Sequence, residues 1–367
     1  MLLLGALSAS CKTSTEDERR AETGEAKPPA KIGLQCKAVG EADSAQRQAV
    51  EGAARSAYET LMRSDFDAMW SMLHPQAQRG QGKEPIVEAL RSMRARLGDA
   101  TAEPKLEWAY TVGVDGGAND LARVQCGPEG EMESLTMMAN AGGEDLAVAS
   151  LWTPGMPYSY TTTVTLRKRG PSWRLVGVHV SPSAYRGKTA ADFFRVAEQF
   201  DERGRSVTAF LALGVARTLS GRGSSVTTVL RERIDQNLDA LEKSPGYTKE
   251  LGTWTVDDRS YVVHGFGLAA TQSDLSVVVQ YVTPGGLVRE TLEQEADQLI
   301  AHMRTRYPEL RGLFDAVVFE AYREAPTEKD AEYDAYRIAR YLDPSRAVAA
   351  KDAPQPSADG KTADQAG

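Results

Sequence analysis

QRQAVEGAARSAYETLMRSDFDAMWSMLHPQAQRGQGKEPIVEALRSMRARLG, residues 46–98, is the stretch whose periodicity decides the fold. Val50, Ala53, Ala54, Ala57, Tyr58 and Leu61 recur at the 3.6-residue period of a one-sided helix, and the opposite face is charged. Ser64 is placed to cap a second helix carrying Phe66, Met69, Trp70 and Leu73, and Pro75 is expected to stop it. Pro85 suits a first helical position, Ile86, Ala89, Leu90, Met93 and Leu97 line one face, and Gly98 suits a left-handed cap. Three such short helices are marginal alone, so each apolar face demands a partner layer.

The following residues supply that layer. Leu106 to Val114, Leu121 to Cys126, Glu133 to Ala139, Leu146 to Leu151, Tyr158 to Lys168 and Trp173 to Val180 alternate apolar and polar residues. Asp115-Gly116-Gly117, Gly127-Pro128, Gly142-Gly143 and Gly170-Pro171 separate them as turns. In the fifth strand Tyr158, Tyr160, Thr162, Val164 and Leu166 share one face, and the other is largely threonine. In the sixth, strict alternation puts Trp173, Leu175, Gly177 and His179 on one face and Val176, Val178 and Val180 on the other, as for an interior strand. Helices against a sheet predict an α+β domain.

Three opening helices, a Trp-bearing helix ending in His74-Pro75 and a last hairpin closing on Trp173-Arg174-Leu175-Val176-Gly177-Val178-His179-Val180-Ser181 resemble the nuclear transport factor two-like superfamily. The resemblance covers Gln46 to about Gly187. It implies a curved antiparallel sheet wrapped around the helices as a cone with a pocket at its open end. Members include isomerases, dehydratases and non-catalytic binding modules, so the fold alone selects no activity.

The remaining chain, at 367 residues, has room for a second domain. From Lys188 to Leu241 two apolar helical stretches, around Phe193 to Phe200 and Val207 to Leu219, flank a break at Gly204. The pair resembles one tetratricopeptide-type hairpin, and without a repeat it reads as a connector. Tyr261 to Thr271 and Leu275 to Val282 read as strands, Val288 to Met303 as a helix and Asp315 to Tyr322 as a returning strand. A short helix is expected around Tyr333 to Leu342. The expected organisation is a signal segment at 1–10, a tether and extension at 11–45 and a cone-like domain at 46–187. A helical connector at 188–243, a small α+β domain at 244–325 and a mostly disordered tail at 326–367 follow.

Met1 to Cys11, apolar and closing on Leu7-Ser8-Ala9-Ser10-Cys11, resembles a bacterial lipoprotein signal. The resemblance implies lipid on Cys11, a membrane-anchored envelope location and, at Lys12 to Lys31, a flexible polar tether. The alternative is a plain apolar start. With Cys11 lipidated, Cys36 and Cys126 are left in an oxidising compartment and are expected to form a disulfide tying the N-terminal segment to the sheet, with two separate buried thiols as the alternative. Ile32, Leu34 and Cys36 alternate as in a strand, and Cys126 closes another.

A net charge of −8 argues against nucleic-acid binding by general electrostatics. The four histidines do not cluster, and metalloprotease, zinc, hydrolase-elbow and P-loop motifs are absent, so neither cofactor nor metal is expected. Gly265-Phe266-Gly267-Leu268-Ala269-Ala270 fits G-x-G-x-x-A in form only, because the residues around it read as strand. His179 in the cone, with His74 near its rim and Tyr58 or Tyr110 as hydrogen-bond donor, is the candidate acid-base group, against the alternative of a histidine satisfied in a packed core. The chain is therefore expected to be an exported, lipid-anchored, non-catalytic binding or envelope-accessory protein with a protein or small-molecule ligand. The alternatives are a cone-fold isomerase or dehydratase using His179 and a structural assembly partner.

Overall fold

The structure is a computed structural model that describes residues 33–98, 102–115, 121–128, 131, 132, 134–140, 145–271, 273–326 and 335–346. Cys11, the signal segment, the Lys12 to Lys31 tether and the end of the tail from 347 lie outside the described residues.

The described residues open with β1 (Gly33–Ala38), then four helices, α1 (Ser44–Met62), α2 (Phe66–Met72), α3 (Pro75–Gln81) and α4 (Lys83–Leu97). The sequence predicts three. Pro75 begins α3 instead of closing the helical run, because at a first helical position proline gives up an N–H that has no partner anyway. The cap of α2 is Asp65, whose carboxylate accepts from Ala68 N at 3.0 Å; Ser64, expected in that role, takes φ 57° in the turn before it. Gly98 ends α4 at φ 54°.

Strands β2 (Lys105–Asp115), β3 (Leu121–Cys126), β4 (Leu135–Asn140), β5 (Leu146–Thr153), β6 (Tyr158–Arg169), β7 (Ser172–Tyr185) and β8 (Lys188–Thr189) follow. The order β1-β2-β5-β6-β7-β8 makes an antiparallel sheet curled into a half-barrel, and the helices fill its concave side, so the cone-like α+β class is what the chain adopts. Leu61, Met69, Leu151, Val164, Leu166 and Leu175 form the centre of that layer. β7 is close to an edge strand and not interior, since beyond β6 it pairs only with the two residues of β8 and, through Leu175, with Leu73.

Next come α5 (Ala190–Glu202), α6 (Ser206–Leu219), β9 (Val226–Thr228), α7 (Val229–Glu242) and α8 (Pro245–Glu250). Thr189 and Asp192 close a capping box at the start of α5. The span expected to be a purely helical connector thus contains β9, which pairs with β4 in a three-stranded sheet β3-β4-β9. That sheet packs Val124, Cys126, Leu135, Met137 and Val226 against Val112, Leu146 and Val148 of the curled sheet.

The last layer is β10 (Gly252–Val256), β11 (Arg259–Ala270), β12 (Leu275–Val282), α9 (Arg289–Arg306), β13 (Ala316–Tyr322) and β14 (Ala335–Tyr341), in sheet order β10-β11-β12-β13-β14. β12 and β13 are parallel and α9 is their crossover, burying Leu292, Ala296, Leu299, Ile300 and Met303. Residues 335–341 form strand β14 where the sequence predicts a short helix inside a disordered tail: backbone pairing with β13 overrides a weak local pattern. The unit therefore runs past residue 325. Its core is continuous with α5, α6 and α7, so the expected boundary at 243/244 falls inside one hydrophobic cluster.

Candidate functional site

Tyr58, His74 and His179 do not converge. Tyr58 is buried in α1 on the concave side, where its hydroxyl accepts from Thr153 Oγ1 at 3.1 Å. His74 is buried between α2 and α3: its Nδ1 accepts from Gln76 N at 3.3 Å, capping α3, and its backbone N–H donates to Leu175 O at 2.7 Å. Tyr110 lies on β2 against the three-stranded sheet, its ring 5.9 Å from that of Trp108.

His179 is turned away from the cone. Thr165 pairs with Gly177 while Leu166 pairs with Leu175, so Val176 is an extra residue, a β-bulge, and the alternation changes phase there. Leu175, Val178 and Val180 consequently all belong to the helix-side layer, and Val176 is left 36% exposed. His179, expected beside Leu175, instead projects from the other face, directly across from Thr163.

That outer face is polar. Ser150, Thr161, Thr163 and Ser181 are buried there, and Glu107, at a second bulge in β2, accepts from Ser150 Oγ at 2.6 Å and Thr161 Oγ1 at 3.4 Å. The loop after α6 lies across His179. Gly221 O accepts from Ser181 Oγ at 2.5 Å, and a Cβ on Gly223, which sits at φ 97°, would come within 3.1 Å of His179 Cβ. Between those glycines Arg222 donates to Leu219 O at 3.2 Å and Gly221 O at 2.8 Å. Burial, then the charges of Arg96 and Arg222, hold the His179 imidazole below its usual range, so the neutral form is favoured. Burial likewise lowers Arg222, with Glu107 opposing it. His179 thus lies beneath the Gly221–Gly223 loop, while the Glu107 carboxylate is engaged by the Ser150 and Thr161 hydroxyls.

A second feature lies at the outer edge of β7. A cleft of about 390 Å³ opens between α3, α4 and that edge. Leu73, Leu90 and Leu175 form its buried apolar base, Ile86, Met93, Val176 and Val178 its walls, and His74, Gln76 and Arg167 its polar groups; Arg167 Nη1 donates to Gln76 Oε1. The Val176 bulge shapes this cleft as it reorients His179. Sequence reasoning passed over Arg167, Gln76, Glu107 and Arg222. Of these, only the Gly221-Arg222-Gly223 pattern, a cation between two glycines, signals close backbone approach.

Cys36 on β1 and Cys126 at the end of β3 stand at disulfide distance, with Sγ atoms 1.99 Å and Cα atoms 5.4 Å apart. Among the described residues no group of three or more His, Cys, Asp or Glu side chains is placed to hold a metal ion, and no helix is long and apolar enough to cross a membrane. Gly265 to Ala270 lies within β11 and opens no helix, so it has no dinucleotide-binding turn. No family model, curated protein or solved structure matches the chain.

Proposed function

We propose that the protein is a tethered, non-catalytic binding or accessory protein of a bacterial cell envelope, anchored through lipid on Cys11, with the cleft beside β7 as its binding surface. The observation that supports the non-catalytic reading is the packing of the helices on the curled sheet: Leu61, Met69, Leu151, Val164, Leu166 and Leu175 are buried in one apolar cluster to which His179 does not belong. His179, the residue on which the isomerase or dehydratase reading depends, faces the other way. The pairing distance of Cys36 and Cys126 supports an oxidising compartment, in keeping with the small-residue run before Cys11.

Membrane fractionation with mass spectrometry of the N-terminal peptide tests the anchor. Wild-type protein expressed in a bacterium should sediment with membranes and carry a lipid-modified Cys11, and Cys11→Ser should be released. Soluble wild-type protein without lipid overturns the anchoring.

A further inference from the structure

We propose that the cleft between α5, α6 and α7 takes a linear aliphatic polyamine. This cleft is separate from the one beside β7, and the assignment rests neither on that surface nor on the anchor. α5 and α7 each pack on α6, and the cavity they leave has a volume of about 470 Å³, within the range of roughly 300 to 1,000 Å³ usual for small-molecule sites. Its floor is apolar: Ala197, Leu213 and Leu241 are buried beneath it, and Ala240 belongs to the α7 wall. No aromatic side chain lines it, so a cation there is held by hydrogen-bond acceptors and not by ring faces.

Charge determines the occupant. Glu198, Asp201 and Glu202 of α5 line the cleft and no Lys, Arg or His does; among the described residues these three carboxylates have no hydrogen bond or ion pair. Acids of α7 outside the cleft are matched instead, Glu232 by Arg123 and Asp235 by Arg217 and Arg231, and on α5 itself Arg195 is taken by Asp192. The backbone adds to the negative potential independently of the side chains. The cleft is lined by the C-terminal parts of α5 and α7, neither helix has a basic residue in its last turn, and each such end is equivalent to roughly half a negative charge. Side chains three and four residues apart on a helix stand about 5–6 Å from each other, and like charges so placed repel. The ammonium groups of a polyamine, separated by three- and four-carbon spacers, match that interval along Glu198, Asp201 and Glu202, while the spacers lie on the apolar floor.

Titration calorimetry on the full chain tests the proposal, with spermidine, putrescine, Mg²⁺ and trilysine as probes. Spermidine should bind one to one and more tightly than putrescine. Putrescine should in turn bind more tightly than Mg²⁺, which has the same charge and no chain to lay on Leu213 and Leu241. Glu198→Gln with Glu202→Gln should weaken spermidine at least tenfold. Glu84→Gln with Glu290→Gln, which removes the same charge from exposed positions on α4 and α9, should leave it unchanged. Ala240→Phe, at an exposed position on the α7 wall, should fill the cleft and abolish binding without disturbing the core. Absence of spermidine binding, Mg²⁺ binding as tight as putrescine, equal loss in the two double variants, or trilysine binding more tightly than spermidine overturns the assignment. Those outcomes are independent of the anchor, which membrane fractionation reads separately.

Discussion

The two main layers of this molecule bury polar groups in opposite ways. The curled sheet with α1 to α4 hides hydroxyls: Thr153, Thr161, Thr162, Thr163 and Ser150 are buried, and two of their oxygens, Thr162 Oγ1 and Thr163 Oγ1, have no hydrogen-bond partner. The sheet around α9 hides carboxylates. Glu295 accepts from Tyr281 and Thr283 hydroxyls, both at 3.0 Å, and Glu320 from Gln280 Nε2 at 2.8 Å and from Arg337. Asp315 accepts from Leu275 N at 2.9 Å, Arg186 Nη2 at 2.6 Å, the Tyr185 hydroxyl and Arg346. A lone hydroxyl costs little to bury compared with a carboxylate, so the first layer tolerates loose ends while every buried acid of the second is surrounded by donors. Tyr185 and Arg186 come from the end of β7, which makes Asp315 the polar joint between the layers.

The largest break should come at that joint. Asp315→Ala strands Arg186, leaves Arg346 with Asp274 alone, and leaves the Leu275 amide and Tyr185 hydroxyl unpaired. By the usual cost of removing one partner of a buried ion pair it should destabilise by about 3–5 kcal/mol, read as a lower urea midpoint. Tyr185→Phe, which leaves the charges paired, should cost only about 1 kcal/mol. Equal effects of the two would show that charge is not what holds the joint.

A smaller loss, confined to the first layer, should follow Cys36→Ser with Cys126→Ser. The sequence separation of 90 gives on the order of 4 kcal/mol in the chain-entropy model, and roughly 2–4 kcal/mol is typical of measured bridges. Hydrogen exchange should report it at β1 and β3 and leave β12 and β13 unchanged. Gly223→Ala forces a left-handed backbone and a contact with His179, so about 1–3 kcal/mol should be lost without disturbing the second sheet.

The smallest effect separates the layers by pH. His179 titrates below its usual 6.5 in the folded chain, so its contribution is full above about pH 6.5 and is lost as pH falls towards the folded value. His179→Gln should flatten the decline in Tm between pH 7.5 and 5. The decline should not vanish, because burial lowers His264 and His302 too. Asp315 loses its contribution in the same direction, as pH falls, but in a lower window. Burial raises it, but the Tyr185 hydroxyl, the Leu275 amide and the charges of Arg186 and Arg346 outweigh burial and hold it below 3.8. Its contribution is present above pH 3.8 and is lost as pH falls through the folded value. An unchanged slope in His179→Gln would refute the first half of this separation.

Local periodicity was sufficient for most elements. The faces of α1 and α4, the bounds of β3 and β12, and the crossover order β12-α9-β13 all follow from apolar spacing and turn residues within a few positions of one another. The approach of Cys36 to Cys126 was open to the same kind of reading, because Cys36 lies in one alternating segment and Cys126 closes another. β14 was illegible: Ile338 is its one strongly apolar residue, and only the partner strand β13 makes it extended.

The candidate site was decided by tertiary structure. A one-residue bulge moves every later side chain of a strand to the opposite face, and no alternation within β7 records where that extra residue falls. The shift at Val176 put His179 under Arg222, opened the cleft at the sheet edge and set Leu175, Val178 and Val180 together in one core. From the sequence alone, then, came the layers and the helical faces, because these depend on residues close along the chain. Which side of the sheet His179 faces, what covers it and which layer Asp315 joins depend on register and on partners more than a hundred residues away, such as Asp315 for Tyr185, and only packing of the whole chain sets them.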